Sequence, residues 1–132
     1  MENTRRKFLG WLLAAPLAGL IAKPGAATVE EKKVLINKFS VAGFQYYKGP
    51  RLIKKIKPGD ALKLSAEPAN AHDEFAVEIF YNSHKIGYVP MSDNRHVSRL
   101  LQENMKLHCA VAEVHPTMQT WEMLRVEVFL VS

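Results

Sequence analysis

A single cysteine, Cys109, stands in a chain of 132 residues, so an intramolecular disulfide is excluded. No glycine-rich phosphate loop ending in Gly-Lys-Ser or Gly-Lys-Thr is present, which removes ATP-driven function of the common type. The histidines His72, His84, His96, His108 and His115 lack any recognised zinc spacing, although His72-Asp73-Glu74 could hold a cation weakly in one loop. A Cys109–histidine nucleophile is disfavoured too, because strand alternation sends His108 to the opposite face. Cys109 therefore reads as core packing. These absences point away from an enzyme, and no cofactor or metal site is expected. Long apolar runs are also missing. The longest, Phe8 to Ala22, has 15 residues, short of the ~20 that a permanent bilayer helix needs.

That run nevertheless has a pattern. Thr4-Arg5-Arg6-Lys7-Phe8-Leu9 precedes it, and Lys23-Pro24-Gly25-Ala26-Ala27 follows. A twin-arginine start, an apolar centre and small residues before a cut site read as an export signal, recognised by the twin-arginine translocase. A short membrane anchor or amphipathic helix is the alternative, but apolar residues cover every face. Residues 1–27 are read as signal, with cleavage after Ala27, residues 28–33 as a flexible leader and 34–132 as the domain. The expected location is periplasmic.

Removing the signal changes the charge argument. The whole chain has 18 basic and 13 acidic side chains. Taking away Arg5, Arg6, Lys7, Lys23 and Glu2 leaves 14 and 12, a net charge of +2. Global charge then gives little support for a polyanion partner, whose affinity comes mostly from phosphate neutralisation. Local clustering remains. Lys48, Arg51, Lys54, Lys55, Lys57 and Lys63 fall within 16 residues, opposed only by Asp60. This is a candidate phosphate-facing ridge, though a solvated strand edge has the same composition and is the commoner origin of such runs.

Two-residue periodicity dominates from Val34 onward. Val34 to Phe44 is predicted as a long first strand with a bend at Gly43. Pro58-Gly59-Asp60 makes a turn, and Ala61 to Ala66 places Leu62 and Leu64 inward. Phe75, Val77, Ile79 and Tyr81 share one face of the next strand, which turns at Asn82-Ser83-His84 into Lys85 to Val89. Ser92 or Asp93 is expected to cap one helix, striped by Val97, Leu100 and Leu101 and stopped at Asn104. Strands over Met105 to Val114 and Trp121 to Val131 complete the set, with Trp121 anchoring the last hairpin or the barrel end. About six short strands with one main helix, and no room for crossover helices, predict a mainly β fold, a small antiparallel barrel.

The run Glu67-Pro68-Ala69-Asn70-Ala71-His72-Asp73-Glu74-Phe75-Ala76-Val77, closed by Ile86-Gly87-Tyr88-Val89-Pro90, is the most specific part of the chain. Pro68 and Asn70 favour a sharp turn, the Asp73 carboxylate can accept loop N–H groups, and Gly87 permits a bulge or close backbone approach. With Val41-Ala42-Gly43-Phe44-Gln45-Tyr46-Tyr47 and Pro58-Gly59-Asp60-Ala61-Leu62-Lys63-Leu64, the pattern resembles the HIRAN domain. The resemblance implies an OB-like barrel and a non-catalytic module that holds the 3′ end of single-stranded DNA. It implies a site drawn from Gln45, Tyr46, Tyr47, Asn70, His72, Asp73 and Tyr88, with Tyr46 the foremost base-stacking candidate. On the residues alone, Asp73 reads first as a loop staple, and Tyr46 reads equally well as an ordinary half-buried barrel tyrosine.

Four departures touch the site. Where the eukaryotic DNA-end binders have an arginine before the tyrosine pair, this chain has Gln45. It has His72 in place of a tyrosine and Tyr88 in place of a histidine. A lysine beyond is replaced around Pro90-Met91. Lost cations weaken phosphate binding. Two functions thus stand side by side: a nucleic-acid-binding module, and an exported envelope module for a protein, peptide or glycan.

Overall fold

The computed structural model describes residues 31–132. The twin-arginine run, its cleavage point and the first half of the leader lie outside the described residues. No described helix is long and apolar enough to cross a membrane. Six strands form the framework: β1 (Lys33–Ser40), β2 (Ala61–Ala66), β3 (Val77–Tyr81), β4 (His84–Tyr88), β5 (Leu107–Val114) and β6 (Leu124–Val131). They make one antiparallel sheet in the order β1-β6-β5-β2-β3-β4. Helix α2 (Asn94–Gln102) follows β4, and a four-residue α1 (Gly49–Leu52) sits between β1 and β2. The mainly β expectation, with one main helix, holds.

The sheet is not closed into a continuous ladder. Its two edges are joined by a single bridge, in which Ala42 N–H donates to the Tyr88 carbonyl at 2.8 Å and Tyr88 N–H to the Ala42 carbonyl at 2.9 Å. Inward residues of the strands, including Phe39, Leu62, Val77, Ile79, Ile86, Val111, Val126 and Val128, form one buried cluster. Phe44, Ile53, Ile56 and Val97 join it from outside the sheet. Cys109 belongs to it as well; burial pushes its thiol up to about 12. His108 lies beside Phe129, with ring centroids 6.2 Å apart.

Several boundaries differ from expectation. β1 ends at Ser40 rather than continuing to Phe44. Gly43 takes a left-handed φ of 70°, and a 3-10 turn over Phe44–Tyr46 follows. The reason is packing: Phe44 is fully buried, so the chain turns to seat that ring while Tyr46 stays 79% exposed. Phe75 lies before β3, not in it, because its N–H is taken by Asp73 Oδ1 at 2.9 Å in a local turn. Asp93 occupies the N-cap position of α2 without capping it. Its carboxylate instead accepts from Asn37 Nδ2 at 3.0 Å and Ser92 Oγ at 2.9 Å. Trp121 sits in a 3-10 turn over Thr120–Glu122 and is 57% exposed, so it anchors no core. Asn82 and Asn104 are left-handed, at φ 54° and 61°, where the turn and helix stop were expected.

Gly87 makes the bridge physically allowed. Its φ is 150°, and a Cβ there would fall 2.4 Å from the Ala42 carbonyl oxygen and 2.5 Å from Val41 Cγ1. Gly87→Ala should therefore separate the two edges and lower stability by about 2–4 kcal/mol. Urea unfolding checks this; a loss below about 0.5 kcal/mol, ordinary for a surface change, would contradict the role given to the bridge. For Cys109, the folded chain should resist a thiol reagent that labels it at once after unfolding. Its protonated burial also stabilises the fold only below the ordinary thiol value near 9.0. Stability is thus expected to fall as pH rises from there towards about 12.

Candidate nucleic-acid interface

The bridge decides which side chains meet. β1 runs into it at Ala42, and the chain leaves through the 3-10 turn that carries Tyr46 and Tyr47. β4 runs into it from the other side with Lys85 and Tyr88. A register shift opposite Ile79 and Phe80 pairs Ile79 with Gly87 but Phe80 with Lys85, leaving Ile86 as the extra residue. Strict alternation would set Lys85 and Tyr88 on opposite faces; the bulge sets them on the same one. Glu78, paired with Tyr88, shares it.

The result is a compact polar–aromatic junction. Lys85 Nζ donates to Tyr88 Oη at 2.6 Å and lies 3.2 Å from Glu78 Oε2. The same ammonium stands 4.2 Å from the Tyr88 ring centroid and 4.8 Å from that of Tyr47. The two tyrosines meet edge to face, with centroids 6.1 Å apart. Partial burial works against the Lys85 charge, but the bonds to Tyr88 and Glu78 outweigh it and raise its pKa. For Tyr88 the Lys85 bond favours the phenolate, yet burial and the bond to Glu67 prevail and raise the pKa. Near neutral pH the junction is an ammonium held by a neutral phenol and a carboxylate.

A cavity opens on each side of it. One, of about 330 Å³, is lined mostly by apolar surface and includes Ala42, Asn70, His72, Asp73, Tyr88 and Met91. The other, of about 420 Å³, is lined by Tyr46, Tyr47, Lys48, Arg51, Ser83, His84 and Lys85. The structure thus gathers Asn70, His72, Asp73 and Tyr88 at one cavity and the tyrosine pair at its neighbour. Gln45 is exposed and lines neither. The basic ridge divides: Lys48 and Arg51 reach a cavity, while Lys54, Lys55 and Lys57 are exposed elsewhere. A third opening, lined by Pro68, Glu74, Phe75, Arg99, Gln102 and Glu103, carries carboxylates beside its cation.

The two signature polar groups serve their own loop. Asn70 Oδ1 accepts the N–H groups of His72 at 2.8 Å and Asp73 at 3.0 Å. Asp73 Oδ1 holds Phe75 N–H, and its Oδ2 accepts Asn94 Nδ2 at 2.7 Å. Asn94 is 3% exposed, so this bond ties the loop to the start of α2. Lys85, His84, Met91 and Asn94 were not assigned to the site by sequence reasoning. The signal for Lys85 was Gly87, a bulge marker three residues before the proline, whose effect on register could have paired Lys85 with Tyr88.

Replacing Asn70 by Ala leaves two loop N–H groups without their acceptor, at a cost of about 1–3 kcal/mol. Hydrogen exchange at the His72 and Asp73 amides should accelerate while core amides keep their rates; unchanged exchange at both would show that Asn70 does not hold the loop.

Comparison with known proteins agrees with this architecture. Residues 37–131 match the HIRAN domain. A crystal structure of a protein from Lactobacillus plantarum superposes with a TM-score of 0.67 at 20% identity, over 78% of this chain and 99% of that one. The crystal structure of the HIRAN domain of human HLTF gives a TM-score of 0.58 at 14% identity, over 76% of this chain and 79% of that one. At such identities these two likenesses concern the fold. Among curated proteins none matches the chain. The match across nearly all the described strands settles the family: this chain belongs to the HIRAN domain family.

Proposed function

We propose that this chain is a non-catalytic nucleic-acid-binding module that takes a single strand across the Tyr47–Lys85–Tyr88 junction. The observation that carries the reading is the pairing of two unlike cavities on that junction. An apolar cavity edged by Asn70, His72 and Asp73 suits a terminal nucleoside, whose base and sugar need a flat wall and a few hydrogen-bond partners. The exposed Tyr46 ring offers a stacking surface for the next base. A free 3′ end is the feature that the HIRAN resemblance implies, and the apolar cavity bounded by the loop would take the terminal nucleoside. The N-terminal twin-arginine run would direct the module out of the cytoplasm, where it meets strands in the envelope.

A second reading, an exported module for a protein, peptide or glycan, draws on one observation. Asn70 and Asp73 already spend their side-chain groups inside the protein. Salt dependence separates the two, because phosphate contacts weaken steeply with salt and apolar contacts do not.

The test is titration of the full chain with fluorescent single-stranded DNA bearing a free or blocked 3′ end, at two salt concentrations. Salt-sensitive binding that needs the free end is expected. Tyr46→Ala should weaken it by roughly 5- to 150-fold, the worth of one stacked base, and its exposure keeps the fold intact. A folded variant of unchanged affinity would remove Tyr46 from the site, and no binding at low salt would reject the reading in favour of the second.

A further inference from the structure

The cavity beneath Tyr46 differs from its apolar neighbour in charge. Lys48, Arg51 and Lys85 line it together with His84, and no carboxylate does. Lys85 is the fixed member. Its Nζ has three N–H bonds, and Tyr88 and Glu78 account for two. One remains for a ligand. Lys48 and Arg51 are exposed and, among the described residues, have no carboxylate within ion-pair distance. They enter the cavity from the turn before α1 and from α1 itself, while Lys85 and His84 enter from β4. The cations therefore come from two separate segments and converge on one space, which distinguishes this arrangement from a solvated charge run. Lys54, Lys55 and Lys57, close by in sequence, do not line it.

We infer that this cavity is a phosphate subsite, formed by Lys48, Arg51 and Lys85 against the Tyr46 and Tyr47 rings, which binds a phosphodiester of the strand whose terminal nucleoside fills the apolar cavity. The inference rests on the nucleic-acid reading for the identity of the strand, but the affinity for phosphate belongs to the cavity alone. Arg51 presents a planar fork suited to two phosphate oxygens, and Lys48 and Lys85 add point charges. The junction spaces the two subsites: Lys85 bonds the ring that walls one cavity while lining the other. A neutral nucleoside would engage only the apolar side.

The test uses the isotopically labelled full chain and two probes. Inorganic pyrophosphate, titrated by NMR, should shift the amides of Lys48, Arg51, Ser83, His84 and Lys85. The Lys48→Ala, Arg51→Ala double variant should lose those shifts while its core resonances stay in place. No localised shift in the native chain, or the same shifts in the variant, overturns the inference whatever DNA does. The second probe is a short single strand with one neutral methylphosphonate linkage moved stepwise from the 3′ end. One position near the end should weaken binding roughly tenfold or more. The double variant should become insensitive to that position, with the salt slope shallower by about 1.4, roughly 0.7 per lost contact. Equal sensitivity at every position would overturn the assignment to a single phosphodiester. Pyrophosphate binding without DNA binding would leave the subsite standing and reject the nucleic-acid reading instead.

Discussion

Two hydrogen bonds between Ala42 and Tyr88 hold the architecture of the site. Without them β1 and β4 are the free edges of an open sheet, and exposed edges are otherwise prone to pair with other chains. With them, the turn carrying Tyr46 and Tyr47 is brought against the strand carrying Lys85 and Tyr88. The approach is so close that only glycine fits at position 87. One residue without a side chain therefore fixes the relative placement of the aromatic rings and the cations.

Lys85 illustrates how the fold sustains a charge at a half-buried position. Desolvation alone disfavours the ammonium. A phenol oxygen, a carboxylate and two ring faces compensate, and all come from residues that the bridge and the bulge bring together. The carboxylate of Glu78 balances the charge without entering the cationic cavity. A cation with one donor to spare, set beside rigid rings, is organised before any ligand arrives, which reduces the ordering cost of binding.

The loop from Glu67 to Phe75 shows the opposite economy. Asn70 and Asp73 look like ligand groups in sequence, and in the structure they close their own turn and fasten it to Asn94. These bonds hold one wall of the apolar cavity. The neighbouring Asn37, bonded to Asp93 and His96, fastens β1 to the start of α2 in the same way. Buried polar groups here are satisfied pairwise across elements.

Alternation in Ala61 to Ala66, Val77 to Tyr81 and Leu124 to Val128 was enough to identify strands and their inward residues, because a half-buried strand must repeat every two residues; at the end of β6 it fails, and Val131 rather than the expected Leu130 is buried. The turn residues Asn82 and Asn104 and the burial of Cys109 were legible for similarly local reasons, and the Asn70–Asp73 and Gly87-Tyr88 pattern identified the family. Local chemistry did not reveal where β1 stops, since that depends on Phe44 finding a place in a core built by distant strands. Nor did it reveal that Lys85 and Tyr88 share a face, which required a bulge defined only by its partner strand. The sequence by itself determined the strand repertoire, the turns and the family. The tertiary structure alone decided which cations converge and which polar groups are already engaged, because both depend on contacts between segments that pattern and propensity treat as independent.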